Sequence, residues 1–245
     1  MRLGKLAPKF DNRTLRLGKY LTATAPLPPA ASSIAWQDLA SRDGWQSLGN
    51  DEIGDCTMAA AGHMEEIWNP EQPPTRPQIV AAYSALTGYN PSNPLSDTGA
   101  TCLDALNFWR NTGIAGQKIS AYAAVSPQNH NEIMTALDLF GGLYIGIQLP
   151  LNAQMQTDWQ VSDAGISTPG SWGGHCVNLC GYDPWWLTCI SWGKIVRMSW
   201  AWLQKYCDEA YACLSGEWAS GAKTAPSGFN FTALQADLES IGTGG

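Results

Sequence analysis

Two hydrophobic periodicities divide this chain, and they do not mix. From residue 56 to about residue 116 apolar side chains recur at helical spacing. Beyond about residue 117 they mostly alternate or run in short blocks, as strands do, with one further helix. Helices first and strands later predict an α+β fold of two lobes rather than an alternating α/β sheet. The expected helices span residues 56–68, 76–88 and 101–112. The second has Pro77 in its first turn and stops at Gly88, and the third carries Cys102, Leu103, Leu106 and Trp109 on one face before Gly113. A strand over 118–125 follows, then a helix over 129–140 capped by Asn129 or Asn131 and ended by Gly141-Gly142, then a strand over 143–149. Residues 174–182, 186–192 and about 210–214 are further strand candidates. The expected organisation is an extended N-terminal arm (1–35), a helical lobe (36–116) and a β-rich lobe (117–245), the two lobes forming one compact unit.

Composition narrows the partners. The chain has 245 residues, 44% hydrophobic and 14% charged, enough for a full core in one large domain or two small lobes. Its 14 basic and 21 acidic residues leave a net charge of −7, and no Lys/Arg cluster offers a phosphate-binding stripe, so nucleic acid is not an expected partner. No apolar run reaches the length of a membrane span, and Met1 to Tyr20 lacks the apolar core of a signal peptide. Seven cysteines form an odd set without a regular framework, which reads as reduced thiols in a cytoplasmic protein. Packaging in a phage particle or release by lysis would leave no mark on such a sequence.

One cysteine stands apart. Cys56 follows the turn-rich run Asn50-Asp51-Glu52-Ile53-Gly54-Asp55 and opens the helix Thr57 to Trp68. Backbone N–H groups at a helix start stabilise a thiolate and can lower a thiol pKa from about 8.5 to below 7. Asp55 is placed to cap that helix, and its charge would oppose ionisation of the thiol. Acyl transfer by a thiol also needs an imidazole, an oxyanion donor and a group that orients the imidazole. Of the three histidines, His175 lies at the start of an apolar strand after Gly173-Gly174, facing a cleft. His63 is two helical turns from Cys56, roughly 10 Å away along the axis, and reads as a hydrogen-bonded helix residue. His130 reads as a surface residue. Cys176, Cys180 and Cys189 surround His175 in sequence, but a strand turns His175 to one face and Cys176 and Cys180 to the other, so no metal and no cofactor is expected.

With Cys56 at a helix start, Gly174-His175 over a hundred residues later and then Ser191-Trp192-Gly193, the chain resembles the papain-like cysteine peptidase superfamily, most closely its bacterial and prophage members with Gly-Asp-Cys-Thr and Ser-Trp-Gly-Gly-His motifs. Gly181-Tyr182, the Asn131–Ile147 stretch and the lead-in Leu3 to Arg13 with Leu27-Pro28-Pro29 are similar too. The resemblance implies a helical lobe against an antiparallel β-barrel-like lobe. It implies Cys56 as nucleophile, His175 as base and Asn50, six residues before the cysteine, as oxyanion donor beside the Cys56 N–H. The family's orienting asparagine precedes its Ser-Trp-Gly, where this chain has Ile190; Ser191, Thr188, a backbone carbonyl or water are the substitutes, and the third member stays unassigned.

Two functions follow. One is a thiol hydrolase of peptide or isopeptide bonds, with cell-wall peptide a candidate substrate and with Trp172, Trp185, Trp186 and Trp192 either in the core or lining a groove. The other is a catalytically weak or inactive binding or structural module on the same scaffold, such as a phage or prophage particle component. The N-terminal arm fits both: it can bind a neighbouring subunit, wrap its own body or occupy the cleft as a built-in inhibitor.

Overall fold

The computed structural model describes residues 1–23, 30–40, 44–221 and 223. The Leu27-Pro28-Pro29 segment lies outside the described residues.

In chain order the elements are β1 (Leu15–Arg16), α1 (Leu17–Ala23), β2 (Ile34–Ala35), α2 (Cys56–Trp68), α3 (Arg76–Thr87), α4 (Cys102–Asn111), β3 (Ile119–Ala124), α5 (His130–Phe140), β4 (Leu143–Leu149), β5 (Gly173–Tyr182), β6 (Trp186–Ser191), β7 (Lys194–Ser199), α6 (Trp200–Tyr206), β8 (Cys207–Ser215) and α7 (Gly216–Ala219). The fold is α+β: α2, α3 and α4 precede a sheet of order β1-β3-β8-β4-β5-β6-β7, with β2 on β5. Every pair is antiparallel except the two-residue contact of β1 with β3. The region 1–35 is not extended throughout, since helix α1 interrupts it.

Helix α2 is the hub. Twelve of its thirteen residues are buried, all but Glu66, because it lies between the other helices and strand β5. Ala59, Ala60 and Ala61 keep that helix slim, and a helix apolar on all sides has nowhere to sit but the interior. Local chemistry sets the neighbouring ends. Thr75 and Gln78 form the pair of residues that caps α3, and Gly88 (φ 78°) ends it in the left-handed conformation. The Asn129 side chain, rather than Asn131, accepts the N–H of Glu132 and starts α5.

Three features depart from the sequence reading. Residues 186–192 do not all form strand: Trp192 (φ 49°) and Gly193 (φ 72°) make the tight turn between β6 and β7. Strand β7 and helix α6 were not anticipated, because β7 is an exposed edge broken by Lys194 and Arg197 and α6 has only seven residues. Strand β8 begins at Cys207 rather than near residue 210, since Asp208 and Glu209 interrupt its apolar pattern although Glu209 is buried.

Candidate active site

Asp55 occupies the N-cap position of α2, but its side chain makes no capping bond. It is fully buried, both carboxylate oxygens lack a hydrogen-bond partner, and burial pushes its pKa up to about 8. At neutral pH it is therefore mostly protonated, which weakens its opposition to a thiolate. Cys56 follows at the first helical position with no exposure to solvent. The backbone N–H groups of Cys176 and Gly4 face its sulfur and favour ionisation, yet burial outweighs them and raises the thiol pKa to about 12. The expected lowering at a helix start is thus reversed. Desolvation of a charged sulfur in a closed interior exceeds what the helix end supplies.

His175 stands on β5 opposite Ile147 of β4, one residue from the Cys176 N–H that meets the Cys56 sulfur. Its Nε2 lies 2.9 Å from Ser191 Oγ, and its Nδ1 is buried without a hydrogen-bond partner. The Trp192 ring stacks on the imidazole at 4.3 Å between centroids and 9° between planes, covering the Ser191 contact from one side. Burial lowers the imidazole pKa to about 3. Cysteine and histidine are thus both uncharged at neutral pH. Ile190 is buried in the core, paired with Asn178, while Ser191 turns to the imidazole. Strand alternation decides this: of two adjacent residues only one can face β5's histidine side.

The chain's own N-terminal segment fills the cleft. Asn50 is buried, and its Nδ2 donates to the carbonyls of Arg2 (3.3 Å) and Ile53 (3.2 Å). Arg2 returns its N–H to Asn50 O at 3.1 Å, and the Trp192 indole N–H also donates to Arg2 O, at 3.1 Å. Gly4 presents its N–H to the Cys56 sulfur, and Lys5 donates its N–H to Gly174 O at 3.2 Å. Ala100 and Gly4, then Leu6 and Ala100, exchange backbone bonds at 2.9 and 3.0 Å along the opposite wall. A Cβ on Gly4 would meet Gly54 O at 1.8 Å, so only glycine passes between these walls. Asp97 braces that side, accepting from the Gly54 N–H, the Tyr83 hydroxyl and Arg2.

The segment lies in the cleft as a plug. The Gly4 N–H is turned to the sulfur, while the carbonyl that meets the Asn50 amide is that of Arg2, two residues earlier. Two surface cavities, of about 470 and 660 Å³, lie elsewhere, and neither is lined by Cys56 or His175.

Cys56 and Asn50 therefore both meet residues 2–5 of the segment, and His175 follows Gly174, whose oxygen takes the Lys5 N–H. His63 is turned away, its Nε2 2.8 Å from Gln46 O, and His130 is exposed beside Trp200. Trp172 packs at 5.5 Å on Trp192 beside the site, whereas Trp185 is 77% exposed and Trp186 carries the Arg197 guanidinium at 4.9 Å. All seven cysteines are free and buried. Sequence reasoning missed Lys5, whose partners Asp208 and Glu209 lie over two hundred residues away, so no local pattern announces them. Among the described residues no helix is long and apolar enough to cross a membrane.

No family model matches this chain, and no curated protein matches it. Solved structures do. The chain is similar to xylellain, a cysteine protease from Xylella fastidiosa, at 16% identity and TM-score 0.64, over 86% of this chain and 95% of that one. It is similar to digestive procathepsin L 3 of Tenebrio molitor at 13% identity and TM-score 0.58, over 84% and 75% of the two chains. The ragweed pollen cysteine protease Amb a 11 in its proform matches at 14% identity and TM-score 0.53, over 81% and 73%. The fold is therefore that of papain-like cysteine proteases, as the motif order implied.

Proposed function

We propose that this protein is a papain-like thiol hydrolase of peptide or isopeptide bonds, held closed by its own N-terminal segment. One observation carries the reading: His175 is pinned through Nε2 by Ser191 beneath the Trp192 ring, and adjoins Cys176, whose backbone N–H faces the Cys56 sulfur.

With the segment displaced, water enters and the desolvation that holds both groups neutral is relieved. His175 Nδ1 takes the thiol proton as the Cys56 sulfur attacks a carbonyl carbon. Asn50 Nδ2, released from Arg2, and the N–H of Cys56 receive the oxyanion. His175 then gives the proton to the departing amine as the C–N bond breaks, and water hydrolyses the thioester by the same route in reverse. Ser191 serves as the orienting third member, with Trp192 shielding it. Peptides are the substrate class this cleft fits, since its walls already pair with an extended backbone on both sides; the cross-linked peptides of a bacterial cell wall are one source.

A second reading has its own support. The plug leaves Cys56 inaccessible, as expected of a binding module whose cleft is permanently self-occupied. Iodoacetamide labelling from pH 5 to 9 with mass mapping separates the two, using the full chain and its Lys5→Glu variant. Lys5→Glu sets a third carboxylate against Asp208 and Glu209 and should expel the plug. The hydrolase reading expects selective Cys56 alkylation near neutral pH in that variant, at least tenfold slower when His175→Ala is added. Slow, uniform labelling of all seven cysteines in both proteins would sink it and favour the module.

A further inference from the structure

The plug is anchored by a pocket whose chemistry is unusual for a protein interior. The Lys5 side chain is entirely buried, with Nζ 2.9 Å from Asp208 Oδ2 and 3.0 Å from Glu209 Oε1. Gln148 Nε2 holds Asp208 at 2.6 Å and the Tyr211 hydroxyl holds Glu209 Oε2 at 2.9 Å, so both carboxylates are fixed before the cation arrives. Adjacent strand residues normally point to opposite faces. Here the pairing of β4 with β8 shifts register, Gly146 facing Glu209 and Ile147 facing Cys207. That bulge leaves Asp208 unpaired and lets both neighbouring acids reach one ammonium.

The pocket is cut for a straight stem. A Cβ on Gly146 would lie 2.1 Å from Lys5 Cε, so glycine at this position opens the passage. Two carboxylates around one cation leave an excess of negative charge: Asp208 Oδ1 is buried without a hydrogen-bond partner, and Glu209 Oε1 has the Lys5 ammonium alone. An apolar side chain here would strand both acids in a dry site. A compact ammonium with three donors suits two converging oxygens at the end of a narrow channel, whereas a planar guanidinium fork needs more width. Burial opposes the charge on Lys5, but Cys102, Glu209 and Asp208 more than restore it, and its pKa is raised.

We propose that this pocket is a lysine-selecting site of the cleft, taking the primary ammonium side chain of a bound peptide once the plug has left. The backbone edges that hold Lys5, Gly174 O and Ala100, are available to any extended peptide, and the pocket opens one residue beyond the contact with Cys56. As a peptide-binding site it stands on this geometry alone; as substrate selectivity it rests on the hydrolase reading.

The test uses the full chain carrying Gly4→Val, which cannot fit against Gly54. A fluorescent peptide copying residues 2–8 is titrated by anisotropy beside versions with Met or Arg in place of its lysine. The expected result is binding at least tenfold tighter for lysine, with the advantage lost in Glu209→Gln. Equal binding of the Met peptide, or an advantage that survives Glu209→Gln, overturns the proposal. If Gly4→Val does not fold, full-length Lys5→Ala is melted with n-butylamine or n-butanol: a rise in Tm with the amine alone supports the pocket, and no rise with the amine overturns it. Fluorogenic peptides with Lys, Arg, Leu or Glu at each of the three positions before the leaving group are then offered to the plug-displaced protein. Preferred cleavage after a chain segment bearing lysine supports the proposal, and preference for leucine overturns it. No cleavage of any peptide alongside lysine-selective binding sinks the hydrolase reading while leaving the pocket standing.

Discussion

Helix α2 meets two buried carboxyls, Asp55 at its N-cap and Glu65 near its C-terminal end, and the protein treats them differently. Both are withdrawn from water and both have pKa values pushed up to about 8 by burial. Glu65 is satisfied: Trp109 Nε1 donates to one oxygen at 3.0 Å and Asn69 Nδ2 to the other at 3.0 Å. Asp55 has no partner on either oxygen. The histidines do not repeat this contrast, since each has Nε2 hydrogen-bonded and Nδ1 buried without a partner. Their ring contacts differ: His63 meets the edge of Trp45, whereas His175 is stacked on Trp192. Burial and pKa direction are alike at both ends, so neither marks function here. What differs is whether the polar groups have been finished with structural partners. At Asp55, beside the cleft that the N-terminal segment enters, the carboxyl is left without partners.

The largest effect that would sharpen this contrast is at the finished end. Glu65→Ala leaves the Trp109 N–H and the Asn69 amide unpaired around a new cavity, and should cost about 3 kcal/mol in urea unfolding. A loss below about 1 kcal/mol would break the distinction between the two ends. Next comes the unfinished end. Asp55 has a folded pKa of about 8 against about 4 unfolded, so its contribution to stability is fully present below pH 4 and is lost as pH rises toward 8. Asp55→Asn removes that dependence. The variant and the parent should match below pH 4, and the variant's advantage should grow as pH rises, to at least about 2 kcal/mol at pH 8. A constant difference across that range would show that Asp55 does not titrate with folding. The smallest effect concerns the orienting contact. In a background with the plug displaced, Ser191→Ala should lower kcat about tenfold, about 1.4 kcal/mol, with KM little changed. Ser191→Asn, which restores an acceptor, should recover part of the loss; an unchanged pH–rate profile and kcat in Ser191→Ala would remove Ser191 from the site.

Much of this was legible in local patterns. The bounds of α2 and β4 follow from their apolar spacing and flanking turns, and the placement of Cys56 at a helix start and His175 at a strand start follows with them. The partner of the imidazole was legible only as one of several candidates. A motif comparison looks for an asparagine where Ile190 stands, but the serine beside it, one of the substitutes the sequence offered, faces the imidazole because of strand alternation and the turn at Trp192-Gly193. The thiol's environment was misjudged for a physical reason: the field of a helix start is local, while desolvation depends on what covers the site.

The order of periodicities therefore determined the α+β class and put a cysteine and a histidine at the ends of elements that could face one another. Only the tertiary structure decided that residues 2–6 close the cleft, that Asn50 spends its amide on Arg2, and that Lys5 seats between Asp208 and Glu209. Those contacts join positions up to 204 residues apart in the chain (Lys5 and Glu209, 209 − 5 = 204). Local propensity acts over a few residues, so it writes helices and strands directly into the sequence. Which surfaces then meet is set by packing, burial and the pairing of charges, and these exist only once the chain has folded.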